Sequence, residues 1–302
     1  MSRPPAKALS GMAFATLLLI ALMMGANHIA ARIAFNNGVD VATAVVFRSG
    51  ITALVLVVLL AAQGARIRLT RRHGQMLPAI GLLVGVQSLC LYSAVARLPV
   101  ALALLAFNTY PIWTAFWARV IYRHPPERAT LIAMPVILVG LALALDVFGA
   151  ASGLGAAGQW ARIGAGVAFA LAAAGTFGLA LVITQHEAAD VDGRVRTATT
   201  MMIAGAVALA TVGIQGGFHL PTAPPGWWGL ATLTFLYGTA FTIMFTVLPK
   251  LGVVGNSAIM NVEPVFALAL GWLILGQSIA LVQVAGALIV VGAVMVLGMR
   301  KR

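Results

Sequence analysis

Arg48 and Glu263 are ionisable residues set inside apolar stretches long enough to cross a bilayer. Insertion scales put a charge at mid-bilayer at about 2.5–3.5 kcal/mol, so each needs a chemical reason to be there. For Arg48 there are two readings. It is a structural residue, paired with a carboxylate or capping backbone carbonyls, or its planar fork receives an anionic group of a substrate such as a carboxylate. Glu263 is a proton carrier or an amine contact, because a carboxyl withdrawn from water is suited to exchanging a proton. An Arg48–Glu263 ion pair would favour the structural reading of both.

A second set of residues is polar but uncharged. Asn108 and Asn261 each stand three residues before a proline, Pro111 and Pro264. A proline inside a helix removes a backbone hydrogen bond and frees a carbonyl, so both prolines are candidates for helix kinks. Interrupted helices in equivalent positions mark binding sites in many transporters. The plainer alternative is an asparagine bonding a neighbouring helix, on average about 0.6 kcal/mol. Asn27 and His28 carry the same ambiguity in the first apolar stretch. Tyr92, Tyr110, Trp113 and Tyr237 have the character of cavity-lining aromatics, or of packing residues. His73, His124, His186 and His219 are scattered near the ends of stretches. No metal cluster, nucleotide loop or nucleophile–base pair emerges, so neither a cofactor, a metal nor enzymatic catalysis is expected.

The elements that hold these residues follow from composition. The chain of 302 residues is 61% hydrophobic and 9% charged, with a mean hydropathy of +1.01. A soluble domain carries roughly a quarter of its residues as charges. Apolar runs of about 20 residues recur throughout, the length a bilayer core requires per helix. Backbone polar groups cannot go unpaired in lipid, so these runs are expected to be helices. Ten spans are predicted, at 9–33, 41–62, 76–96, 99–121, 129–148, 161–184, 198–216, 227–248, 254–275 and 279–298. The first is too long for a signal-peptide core and reads as a retained helix.

The net charge of +12 reads as basic loops that orient helices rather than a nucleic-acid surface. Most of the nineteen Lys and Arg residues fall on one side, leaving Arg32, Arg97 and Arg162 opposite. That asymmetry predicts both termini in the cytoplasm and an even number of spans, in a bacterial-type inner membrane. Trp160, Trp227 and Trp228 fit interfacial anchors on the far side. The lone Cys90 permits no internal disulfide.

The chain also repeats itself. Leu98 and Leu251 lie 153 residues apart, and that offset superposes Arg97-Leu98-Pro99-Val100 on Lys250-Leu251-Gly252-Val253. Asn108-Thr109-Tyr110-Pro111 falls on Asn261-Val262-Glu263-Pro264 at the same offset. An offset of 150 pairs Gly25 with Gly175. The Gly/Ala-rich stretch from Phe148 to Trp160 is a natural seam. Two units are therefore expected, 1–150 and 151–302. Five spans per unit is odd, so the second unit would enter the membrane inverted, a common basis of alternating access.

Several segments resemble the EamA-type drug/metabolite transporters. They include Met24-Gly25-Ala26-Asn27, Phe47-Arg48, Tyr92-Ser93-Ala94 with Leu98-Pro99, and Asn261-Val262-Glu263-Pro264-Val265-Phe266-Ala267. Gly271-Trp272, Leu275-Gly276, Gly286-Ala287-Leu288-Ile289 and Val291-Gly292 fit as well. The chain departs from the family pattern at Gln277, where Glu is frequent, and at Met24, where an aromatic is common. The resemblance implies an all-α integral membrane fold of ten helices in two inverted five-helix repeats. It also implies export or uptake of small metabolites, often amino acids or related compounds. The expectation is a secondary transporter exporting such a metabolite, with the lipid bilayer and a small-molecule substrate as partners, and the buried carboxyl of Glu263 is the candidate for proton coupling. A passive channel is the main alternative, and an intramembrane enzyme a further one.

Overall fold

A computed structural model of the chain describes residues 11–64, 69–125, 128–247 and 262–299. These residues form eleven helices: α1 (Gly11–Asn36), α2 (Val41–Ala62), α3 (Arg71–Arg97), α4 (Val100–Phe107), α5 (Tyr110–Tyr122), α6 (Arg128–Ala144), α7 (Gly155–Glu187), α8 (Gly193–Ile214), α9 (Pro224–Thr246), α10 (Glu263–Leu275) and α11 (Leu281–Met299). There is no strand among the described residues.

Six stretches are long and apolar enough to cross a membrane: Gly11–Asn36, Val41–Ala62, Arg71–Arg97, Val100–Tyr122, Gly155–Glu187 and Gly193–Ile214. Shorter apolar helices lie at Leu131–Ala144, Glu263–Leu275 and Leu281–Val296. Many apolar side chains remain on the surface, among them Leu54, Ile132, Val139, Phe235 and Leu273. Lipid, which gives them no reason to turn inward, accounts for that pattern.

Helix ends follow local chemistry. Asp40 caps α2 by accepting the Thr43 N–H at 2.6 Å, and Thr70 and His73 form a reciprocal box at the start of α3. Asp192 caps α8 by accepting the Arg194 N–H at 2.8 Å. Its carboxyl is held below the usual carboxylate range, first by the Arg194 side chain and then by the backbone donors.

Two expectations about boundaries need revision. The stretch 148–160 is not wholly a linker, because α7 begins at Gly155 and extends for 33 residues. The fourth span is broken: α4 ends at Phe107 and α5 starts at Tyr110. Pro111 therefore lies in the first turn of α5 rather than in a helix interior, and Pro264 occupies the same place in α10. A first-turn proline gives up an N–H that would have no helical acceptor. The discontinuity falls at Asn108 and Thr109, both of which keep right-handed backbone angles.

The structure also repeats local detail at the 153-residue offset. Helices α5 and α10 each have 13 residues and each end on a left-handed residue, Arg123 (φ 57°) and Gly276 (φ 61°). The capping N–H bonds run to Ala118 and Gly271, again 153 apart. Gly25 on α1 lies so close to α10 that a Cβ there would sit 3.3 Å from both the Ala267 nitrogen and the Phe266 Cβ. Gly178 on α7 meets α5 in the same way, 2.8 Å from the Thr114 nitrogen and 2.9 Å from the Trp113 Cβ. The mate of Gly25 is thus Gly178, and the pairing with Gly175 at offset 150 is corrected. Helix α1 packs along α9 and α10, α7 packs along α3 and α5, and the pairs α2–α8 and α6–α11 cross between the halves.

Candidate functional site

Helices α1, α2, α3, α9 and α10 bring most of the singled-out polar residues together around Arg48. Its side chain is 3% exposed. It sits one helical turn before Thr52 on α2, on the face turned toward α3 and α9. The guanidinium carbon lies 4.5 Å from the Tyr92 ring centroid and 4.0 Å from that of Tyr237. Each desolvated cation–π contact contributes up to about 2 kcal/mol. Nη2 donates to the Ser88 hydroxyl at 2.7 Å, and Ser88 stands one turn before Tyr92 on α3.

Among the described residues no carboxylate lies within ion-pair distance of Arg48, and its Nε has no hydrogen-bond partner. It neither pairs with Glu263 nor caps carbonyls. Two tyrosine rings and one hydroxyl hold the charge, leaving the Nε–H without a partner.

Tyr92 links Arg48 to α1. Its hydroxyl donates to Asn27 Oδ1 at 3.0 Å, and its ring meets His28 edge-on with centroids 5.5 Å apart. His28 Nε2 is 3.3 Å from Glu263 Oε1, at the start of α10. The close approach of α1 and α10 at Gly25 sets that contact. Around this centre the buried polar atoms without partners among the described residues include Asn27 Nδ2, His28 Nδ1 and Thr52 Oγ1. An unpaired buried donor or acceptor costs about 1–3 kcal/mol, so such a concentration is what a site awaiting a polar ligand would show.

The other candidates fall elsewhere. Tyr110 packs against Phe107 and Phe177, with centroids 5.7 and 5.2 Å away. Trp113 lies in the α5–α7 interface over Gly175 and Gly178, so it packs helices instead of facing Arg48. Asn108 is buried at the α4–α5 break. Asn261 lies outside the described residues. Ser88 and Thr52 are not marked by any sequence motif, although the four-residue spacings Ser88–Tyr92 and Arg48–Thr52 place each pair on one helix face.

The two halves contribute unequally. Positions 153 residues after Asn27, His28, Arg48 and Ser88 hold Ala180, Leu181, Met201 and Phe241. Polarity is thus concentrated on the first half's α1–α3, with Glu263 and Tyr237 added by the second. An apolar recess of about 400 Å³ between α1, α9 and α10 includes Ile33, Trp228 and Ile274 and shares none of these polar residues.

At one end of the molecule a separate polar network ties α3 and α5 to α7. Glu187 pairs with Arg72 and accepts the Tyr122 hydroxyl at 2.8 Å. Tyr122 stacks on His186 at 3.8 Å, and His73 contacts Asp190 at 3.1 Å.

Comparison with known proteins gives a family and similar solved structures. A model of the EamA-like transporter family matches residues 10–145 and, a second time, 164–299. A solved structure described as "Crystal structure of protein" is similar over 95% of this chain and 98% of that one, with a TM-score of 0.62 at 18% identity. That likeness concerns the fold alone. No curated protein matches the chain.

Proposed function

Because this chain belongs to the EamA-like transporter family, we propose that it is a secondary transporter that exports a small metabolite bearing an anionic group, such as an amino acid or related compound. In this reading the chain forms ten membrane helices in two inverted repeats, 1–150 and 151–302, with both termini in the cytoplasm of a bacterial-type inner membrane. The matching caps of α5 and α10 and the twin approaches at Gly25 and Gly178 support the repeat. Charge asymmetry supports the orientation.

The observation that carries the substrate class is Arg48, a buried cation with an unpartnered Nε–H and no carboxylate beside it among the described residues. Removing an ion from water without a counter-charge is unfavourable by several kcal/mol even after relaxation. Two tyrosine faces and Ser88 offset part of that, and a substrate carboxylate accepting the Nε–H supplies the rest. Asn27 and Thr52 complete the polar lining. Glu263 and His28, in contact with each other, are positioned to bind the amine of a zwitterion or to carry a coupling proton.

Alternating access around this centre would expose it to one face at a time, with the break at Asn108–Thr109 letting α4 and α5 move separately. Counterflow in proteoliposomes loaded with a panel of unlabelled amino acids and related metabolites tests the reading. Saturable exchange of one labelled acid, lost in Arg48→Leu, is the expected result. Flux that never saturates and shows no counterflow would make the protein a pore.

A further inference from the structure

We propose that Arg32 and Gln277 form a clasp that closes the protein at the end bearing the α3–α4 elbow, and that this clasp must open for substrate to pass there. The inference rests on the alternating-access reading above and adds the gate.

The elbow joins α3 to α4 at Leu98 and Pro99. The last carbonyls of α3 have no helical donors, and a helix C-terminus carries partial negative charge. Arg32, in the last turns of α1, supplies what they lack. Its Nη1 donates to the Ala96 carbonyl at 3.1 Å and its Nη2 to the Leu98 carbonyl. Pro99 has no N–H, so the next backbone donor is Val100. Gln277, just past the end of α10, accepts that N–H through Oε1 at 3.2 Å. One side chain thus holds the carbonyls of the elbow and the other its N–H.

The two residues reach across a seam. Helices α1 and α10 pack with each other, and α4, which leaves the elbow, packs against both α10 and α7. Leu98 is fully buried, and a Cβ on Gly166 of α7 would lie 2.5 Å from its Cγ. Leu98 is thus keyed into α7, and separating the elbow from α1 and α10 requires Arg32 and Gln277 to let go.

The internal repeat sharpens the point. At the 153-residue offset, Arg32 corresponds to Gln185 and Gln277 to His124. Gln185 has no cationic fork, and His124 faces His186 at 3.4 Å. The cationic clasp is thus a feature of one end of the molecule. Arg32 Nε is buried without a partner among the described residues. A passing carboxylate can engage that edge as the carbonyls are given up, which ties release of an anionic substrate to opening.

The test uses the full chain in lipid nanodiscs and proteoliposomes. Hydrogen exchange of the amides at 98–103 should quicken at least tenfold in Arg32→Lys, Arg32→Leu and Gln277→Leu, while the segment around Glu187 stays unchanged. Arg32→Lys retains the charge but cannot span two carbonyls. Where the Arg32 variants fail to fold, Gln277→Leu decides alone; exchange within twofold of wild type overturns the clasp.

The requirement for opening is tested with Val100→Cys and Gln277→Cys in a Cys90→Ser background. Joining them with a thiol-cleavable bismaleimide should lower counterflow at least tenfold, and cleaving the linker should restore it. Undiminished counterflow by the linked protein overturns the proposal. Counterflow that survives Arg48→Leu would instead sink the anion-site reading and leave the clasp result standing.

Discussion

Replacing Arg48 separates a binding role from a structural one, because the two roles predict opposite effects on stability. The guanidinium is flanked by the Tyr92 and Tyr237 rings at 4.5 and 4.0 Å and bonded to Ser88 at 2.7 Å. Arg48→Lys keeps the charge but loses the flat faces that two rings can cover together. It forfeits roughly one cation–π contact and weakens the hydroxyl bond, about 1–3 kcal/mol in total. A lysine also presents a point donor where Arg offers a two-pronged edge. Losing one charge-assisted hydrogen bond to a carboxylate, about 1.5–3 kcal/mol, raises the half-saturating concentration roughly 10- to 150-fold.

Arg48→Leu behaves differently. Removing a buried charge that has no counter-charge also removes its desolvation cost, which offsets the lost ring and hydroxyl contacts. The protein should unfold at the same temperature as wild type or higher, yet show no saturable exchange. The assay is thermal unfolding of the detergent-solubilised protein alongside counterflow in liposomes. A large fall in unfolding temperature, with the surviving protein exchanging at wild-type half-saturation, would refute the reasoning and make Arg48 a structural residue.

Three further outcomes follow from the geometry. Gly178→Ala places a Cβ 2.8 Å from backbone and should destabilise by about 1–3 kcal/mol, whereas Gly25→Ala, with its nearest contact at 3.2 Å, should cost less; thermal unfolding ranks them. Burial pushes the Asp146 carboxyl up, but hydrogen bonds from Ala151 and Ser152 outweigh it and hold it below its ordinary range. Its folded value is depressed, so its stabilisation is present above the usual carboxylate range and fades as pH falls through it; Asp146→Asn should flatten that part of a stability–pH curve. Glu263→Gln should abolish the pH dependence of transport, measured as flux over a range of external pH, and full, still pH-dependent flux would remove Glu263 as the coupling residue.

The helices were legible in the sequence because lipid imposes a simple rule on length and apolarity, and α2 came out with its expected bounds, 41–62. The repeat was legible through Asn108-Thr109-Tyr110-Pro111 and Asn261-Val262-Glu263-Pro264, because polar residues and prolines are rare enough among apolar ones to align. Glycines are not, so Gly25 was matched with Gly175 when the close approach to α5 belongs to Gly178. The break of the fourth span was half visible: Pro111 marked the neighbourhood, but the discontinuity sits at Asn108–Thr109, since proline is accommodated best in a new helix's first turn.

The site residues were readable as buried polar groups, but their partners were not. Whether Arg48 meets Glu263, a hydroxyl or two rings depends on how α2, α3 and α9 rotate about their axes, and apolar faces all round leave that rotation unmarked. Arg32 reads from the sequence only as a cation at the far end of the first span, because nothing in its neighbours along the chain announces the α3 and elbow carbonyls it binds.

The central claim is that Arg48 receives an anionic group. It is tested most directly by comparing, in wild-type proteoliposomes, counterflow driven by an exchanged amino acid with that driven by its decarboxylated amine. The account predicts saturable exchange with the acid and none with the amine at the same concentration. Equal exchange by both would contradict it.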